Sequence, residues 1–334
     1  MEERIREIFS LFSEDIALRA QCIDTSRGDD DFRVTFIIDT ASANKYVLKL
    51  ADNDFTFPEK ISVWQRTVKE YQRLGYYCPE IFCDRAGEFP VVEYRGHKCI
   101  AYGEEYAPFH PLEDRFSKED AEFEQLYSSY MPDIWKMTSR IAELHLDYTG
   151  YPSGYCLFET FCPSDQSDEV LENALVWKEY ADTLADEHQE QTERIWNLWW
   201  DNRNQLEKIY KDLPTSVFQA DLNASNILLD EEGRFVGIYD FNLCGKDVFL
   251  NYLIRENSNS EEIAKALQIA SEYYHFSDME KDSVLMLYRC LKPLWYSRVR
   301  ELKEAGDDHD LITKCLDETE RMLVSPIDFV QYMG

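Results

Sequence analysis

Asp221 and Asn226 stand five residues apart in the run FQADLNASNILLD, and Asp240 follows near the end of RFVGIYDFN. Two carboxylates and a carboxamide in this order match what phosphoryl transfer asks of a protein. The departing γ-phosphoryl group passes through a loose, highly charged transition state. The protein must hold a divalent ion against the phosphates, clamp them with a cation and orient the attacking hydroxyl. Asp221 would accept the hydroxyl's hydrogen bond and take its proton. Asn226 and Asp240 would each offer Mg²⁺ a hard oxygen donor. The β-prone runs NILLD and RFVGIYD are joined by Glu231-Glu232-Gly233. A hairpin there would set Asn226 beside Asp240.

The elements around this hairpin divide the chain in two. Residues 2–12 place Ile5, Ile8, Phe9 and Phe12 on one helical face. Three β-like runs follow, IALRAQCID, FRVTFIID and KYVLKL, joined by the polar turns TSRGDDD and TASAN. Pro58 opens a helix that runs to about Leu74 and closes at Gly75. EIF, FPVVEY and KCIAYGEEYA supply further strands. Beyond a connector near Gly103–Pro108 the patterning turns helical. The stretch 132–148 puts Ile134, Met137, Ile141, Leu144 and Tyr148 on one face. Residues 166–211 read as helical, and 261–323 read as two or three more helices. The expected fold class is α+β and bilobal. A small antiparallel N-lobe with one long helix spans 1–106, and a larger, mostly helical C-lobe spans 107–334.

Composition sets the bounds. The 334 residues carry a formal net charge of −30, with 44% apolar and 14% aromatic residues. A core of good size is available, and a phosphate backbone would be repelled, so nucleic acid is an unexpected partner. A cationic small molecule would be attracted. Nine Cys, an odd number with no C-x-x-C pair, read as reduced thiols. The N-terminal stretch is acidic and amphipathic rather than signal-like, and no run approaches 18 apolar residues. The expected address is the cytoplasm, with no membrane partner.

The segment DLNASNILLDEEGRFVGIYDF resembles the catalytic segment of the aminoglycoside phosphotransferase and choline kinase-like family, relatives of the protein kinases. That segment usually reads H-G-D-x-x-x-x-N, then a hairpin, an apolar strand and Asp. Asp221, Asn226 and Asp240 fall on its functional positions. A looser likeness covers nearly the whole chain. YVLKL resembles the strand with the phosphate-binding lysine, here Lys49. EYQRLGYYCPEIF resembles the end of the N-lobe helix, and RIAELH the helix before the catalytic region. The resemblance implies a protein kinase-like fold and transfer of the γ-phosphate of Mg²⁺-bound ATP or GTP. The acceptor would be a hydroxyl of a small, cationic substrate such as an aminoglycoside.

Three positions depart from the pattern. Gln219-Ala220 replaces His-Gly; that His tethers the loop, and Gln can also bond a backbone carbonyl. No G-x-G-x-x-G is present, so Ser26, Arg27 and Gly28 are the residues expected to cover the phosphates. The helix carboxylate that pairs with Lys49 falls near Trp64 and Gln65, leaving Glu59 or Glu70, with Glu59 preferred. The connector, with Glu104 and Tyr106, would pass the adenine edge through its backbone. A second reading is a kinase-like binding module without turnover, motivated by Gln219 and the unusual phosphate loop. A protein kinase is disfavoured, because FNLCGKDVFLNYLIRE contains no A-P-E-type ending. His145, the Trp196, Trp199 and Trp200 run and the Glu256, Glu261 and Glu262 group read as structural rather than chemical.

Overall fold

The computed structural model describes residues 2–115 and 123–334. Helix α1 (Glu3–Phe12) buries Ile5, Ile8, Phe9 and Phe12, the stripe its spacing predicts. A meander follows: β1 (Ala17–Asp24), β2 (Phe32–Thr40) and β3 (Lys45–Asp52). Inward-facing residues alternate cleanly along β2, as period-two patterning requires when one face is covered. Next come α2 (Pro58–Arg73), β4 (Ile81–Phe82), β5 (Val91–Tyr94) and β6 (His97–Glu105). All pairings in this sheet are antiparallel, in the order β1-β2-β3-β6-β4, with β5 on β6.

The sheet is covered unequally. α1 and one sheet face form a small core around Phe36, Ile38, Leu48 and Leu50. α2 joins the large core instead, where its Ile61, Trp64, Val68 and Tyr71 pack with the helical part of the chain. Each fully buried large apolar side chain contributes roughly 1.5–3 kcal/mol. The long helix of the β-rich part is therefore anchored to the helical part, and the meander lies over it.

After Glu105 the chain leaves the sheet. Strand β7 (His110–Pro111) and α3 (Leu112–Arg115) are followed by α4 (Phe123–Ala142), α5 (Glu169–Ala181) and α6 (Asp186–Tyr210). α4 ends earlier than the patterning suggested. Ile134, Met137 and Ile141 are buried, but Leu144 is exposed and His145 turns left-handed at φ 45°. Tyr148 lies beyond the helix, where its hydroxyl meets Thr67 Oγ1 at 2.6 Å.

The next stretch folds as β8 (Thr215–Phe218), β9 (Ile227–Leu229), β10 (Phe235–Ile238) and β11 (Gly245–Val248). β9 pairs with β10 and β7, and β8 pairs with β11. The helices α7 (Phe249–Glu256), α8 (Ser260–Ala270), α9 (Asp278–Leu291), α10 (Tyr296–Glu304) and α11 (His309–Val324) complete the chain. Four helices, not two or three, fill 261–323. Ser277 starts α9 with a capping box, Pro293 stands just past its end, and Gly306 turns the chain at φ 57° before α11. All nine cysteines are free. Trp199 is fully buried and donates to the Cys290 carbonyl at 2.9 Å, while Trp200 stays partly exposed.

Candidate active site

The turn Asp230–Gly233 closes the hairpin as its sequence requires. Gly233 takes φ 78°, and its amide donates to the Asp230 carbonyl at 3.0 Å. Tyr239 N–H donates to the Asn226 carbonyl at 3.1 Å, which brings the start of β9 against the Asp240 side of β10. The hairpin is also stitched to the segment after α2. Tyr77 N–H donates to the Val236 carbonyl at 2.9 Å, and Ile238 N–H to the Tyr77 carbonyl at 3.0 Å. Gly237 sits at this crossing, where a Cβ would lie 1.8 Å from the Tyr77 oxygen. Only glycine lets the two backbones approach so closely.

Gln219 ties the loop together from within. It is fully buried, and its Nε2 donates to the backbone carbonyl of Asp240. Its Oε1 accepts from the Asp221 N–H at 3.3 Å, and its own N–H donates to the Tyr71 hydroxyl at 3.2 Å. One residue thus links the base candidate and the metal-ligand candidate through its side chain and α2 through its backbone N–H. Asp240 itself is left-handed, φ 60° and ψ 70°. Such a conformation costs a non-glycine residue on the order of 1–3 kcal/mol and persists where the surroundings enforce it.

Asp221 is held from several sides. Asn223 Nδ2 donates to its Oδ1 at 2.9 Å, and Asn226 Nδ2 to its Oδ2 at 3.1 Å and its carbonyl at 2.8 Å. Tyr155 hydroxyl approaches Oδ1 at 3.4 Å. Arg255 lies over the Tyr155 ring at 3.4 Å and donates to the Ala220 carbonyl at 2.6 Å. Burial raises the Asp221 carboxyl above its ordinary range, with Asp240 adding to it, while Asn223, Arg255 and Asn226 oppose the rise.

Lys49 reaches the same place from the sheet. Its Nζ lies 2.7 Å from Glu104 Oε2 and 3.2 Å from Asp240 Oδ1. Burial works against the charge, but Glu104 and Asp240 outweigh it and keep the ammonium well above its ordinary range. The sheet register explains the partner. Lys49 pairs with Tyr102, so Glu104, two residues along β6, is its diagonal neighbour on the same face.

This corrects the expectation of Glu59. Glu59 is exposed in the first turn of α2, and Glu70 pairs with Arg73 at 2.6 Å. The helix position nearest the usual spacing is Trp64, which packs edge-on against Tyr102 at 6.0 Å. A buried indole occupies that contact, and the carboxylate comes from the strand. The Glu104 side chain therefore matters, where only the connector's backbone was expected to.

A cleft of about 1030 Å³ opens between the sheet and the helical part, lined by Lys49, Glu104, Tyr106, Asp221, Asn226 and Asp240 among others. Arg27 lines it, together with Thr25, Asp31 and Arg33. Ser26 and Gly28 are not among its lining residues. Ser26 Oγ accepts from the Arg33 N–H at 3.0 Å, and Gly28 makes the turn at φ 127°. They shape the hairpin rather than cover the cleft.

Asn226 and Asp240 form an all-oxygen donor set at the cleft, with Lys49 beside Asp240, and this fits Mg²⁺. Five more carboxylates, Glu159, Asp165, Asp168, Glu169 and Glu172, line the cleft among apolar residues such as Phe55 and Phe161. Asp168 caps α5 and pairs with the buried Arg203, so its charge is already met. Glu169 Oε2 is buried without a hydrogen-bond partner among the described residues. Burial raises the Glu169 carboxyl, and Arg255 opposes the rise. Sequence reasoning missed Glu169, Tyr155 and Arg255. Tyr155 lies 66 residues from Asp221 and has no motif around it.

A sheet-and-helix part over a helical part, with a loop of this kind at their junction, defines the protein kinase-like fold. Residues 158–250 match the phosphotransferase enzyme family. Amicoumacin kinase hAmiN, solved with AMP-PNP, Ca²⁺ and Ami, shares the fold at TM-score 0.55 and 13% identity, over 99% of this chain and 96% of that one. The aminoglycoside phosphotransferase from Alicyclobacillus acidocaldarius shares it at TM-score 0.50 and 11% identity, over 97% and 92%. A search of curated proteins gives no match. The resemblance to the aminoglycoside phosphotransferase and choline kinase-like family is borne out by the matched segment and by the fold.

Proposed function

We propose that the protein is a small-molecule kinase that transfers the γ-phosphate of ATP to a hydroxyl of a cationic acceptor. One observation carries this reading: Asp221, Asn226 and Asp240 of one hairpin segment and Lys49 from the distant β3 meet in one cleft. Lys49 would meet the phosphates of the donor. Asn226 and Asp240 would hold Mg²⁺, which when bound neutralises charge on the transferring phosphoryl group. Asp221, ionised, would accept the hydrogen bond of the acceptor hydroxyl and take its proton as the new O–P bond forms and the bond from the γ-phosphorus to the bridging oxygen breaks, releasing ADP. Asn223 and Asn226 fix the carboxylate through their side-chain amides.

The acidic lining of the cleft supports a cationic acceptor, because Glu159, Asp165, Glu169 and Glu172 offer carboxylates to an ammonium group. ATP as donor and nine cysteines that form no disulfide support a cytoplasmic address under this reading. GTP is the alternative donor.

The test is phosphoryl transfer detected by mass spectrometry. The protein would be given Mg²⁺ with ATP or GTP and a panel of aminoglycosides, other amino-bearing alcohols and neutral polyols, with Asp221→Asn as control. A phosphorylated amino alcohol, absent in the control, is the expected result. Nucleotide binding without transfer to any acceptor would favour the binding-module reading. Transfer to neutral polyols alone would remove the cationic part of the proposal.

A further inference from the structure

We infer that Glu187, His188 and His309 form a transition-metal site, of the kind that takes Zn²⁺, on the face of the helical part where α6 and α11 begin. The three side chains converge from two helices. His309 Nδ1 lies 2.9 Å from Glu187 Oε1 and 3.2 Å from His188 Nε2, and the latter two atoms are 4.0 Å apart. All three atoms lie within 4.8 Å of one another, so an inward adjustment of the exposed Glu187 and His309 side chains would bring them to one ion at Zn–N distances of about 2.0–2.1 Å and Zn–O of about 2.0–2.2 Å. Two imidazoles and a carboxylate suit Zn²⁺, with the fourth position open to water. None of the three lines the catalytic cleft.

The surroundings argue for a purpose beyond a chance hydrogen bond. His188 is only 5% exposed, yet its Nε2 is aimed at the other two ligands rather than into the core. One proton on His309 Nδ1 can serve Glu187 or His188, so a hydrogen bond satisfies at most one of the two contacts. A cation satisfies all three atoms together. α6 and α11 run in the same direction here. The contacts Glu187–His309, Gln191–Asp317 and Arg194–Glu320 climb both helices together. The positive ends of two helix dipoles therefore lie side by side and oppose a bound cation. Asp186, Asp308 and Asp310 stand in the same turns and offset them. A bound ion would clip the two helices together at the N-terminal end of their seam.

The experiment is a Zn²⁺ titration of chelator-stripped, full-length protein, by calorimetry and by metal analysis after dialysis. Asp240→Asn serves as background to remove binding in the cleft. One Zn²⁺ per chain is expected, with a higher unfolding temperature when it is bound. His309 is exposed, so His309→Ala should fold as the parent does. It should lose affinity by more than the roughly 10- to 100-fold that removing an outer-shell partner costs. Glu187→Gln should weaken binding in the same direction. With Co²⁺ as probe, the parent should show the strong visible bands of four-coordination and His309→Ala should not. No Zn²⁺ bound in the Asp240→Asn background, or equal binding by that protein with and without His309→Ala, overturns the site.

Discussion

At the scale of single residues the catalytic loop rests on Gln219 and Asp221. In the proposed reaction Asp221 acts as a base only when ionised, so activity should fall on the acid side. Burial lifts its carboxyl above the ordinary aspartate range. The acid limb of kcat/KM should therefore lie above the model-peptide value of about 3.9, with the activity lost as pH falls through that raised value. A pH profile with saturating donor checks this. Asp221→Asn removes proton acceptance but keeps the shape, and should lower kcat roughly 100- to 10,000-fold while leaving the Kd for ATP nearly unchanged. A variant that turns over at the parent rate would remove Asp221 from the chemistry. Gln219→Ala should act differently. It strands the half-buried Asp240 carbonyl and Asp221 N–H, at up to about 1–3 kcal/mol for each group left unsatisfied. Both chemical denaturation midpoint and kcat should drop, and a variant with parent stability would show that the tether is dispensable.

At the scale of elements, two crossings bring the site together. Gly237 lets β10 touch the segment after α2, and β6 carries Glu104 to Lys49. Gly237→Ala would force a methyl into the Tyr77 carbonyl, and overpacking of this kind costs about 1–3 kcal/mol. Because β10 leads into Asp240, kcat should fall with stability, and thermal unfolding read beside turnover measures both. Glu104→Gln leaves a buried ammonium with Asp240 as its one remaining carboxylate within 4 Å among the described residues. Such losses cost up to about 3–5 kcal/mol when no other partner remains, and less here. The expected signature is weaker nucleotide binding in equilibrium titration, with Glu59→Gln behaving as the parent. These elements also show what was legible beforehand. The hairpin, the meander and Pro58–Arg73 follow from turn residues and local periodicity, because neighbours in sequence determine them. Asp221, Asn226, Asp240 and Lys49 were named from spacing and resemblance, and one cleft gathers them. Glu104 was named for its backbone only, since its role depends on strand register and on Trp64 filling the helix side. Tyr155, Arg255 and Glu169 come from elements that meet Asp221 only through tertiary packing. Ser26 and Gly28 looked like phosphate ligands because a polar turn and a phosphate loop share a composition.

At the scale of the whole molecule, the charge of −30 acts on donor and acceptor with opposite sign. A nucleotide approaches against the mean field and is drawn in only by local cations such as Lys49, Arg27 and Arg33 at the cleft. A cationic acceptor approaches with the field and meets the carboxylates of Glu169 and Glu172. Salt screens both effects, since the Debye length shrinks from about 30 Å at 0.01 M to about 10 Å at 0.1 M. Steering of this kind alters encounter rates by about 10- to 1000-fold at most. Raising ionic strength should therefore raise KM for a cationic acceptor, while KM for the nucleotide stays level or falls slightly. A neutral acceptor measured alongside should show no such rise, which separates field effects from general salt inhibition. If the cationic acceptor's KM did not move with salt, the net charge would be a matter of solubility alone. The assignment of acceptor class would then rest on Glu169, and Glu169→Gln, which should raise KM for that acceptor and leave the nucleotide's unchanged, would decide it.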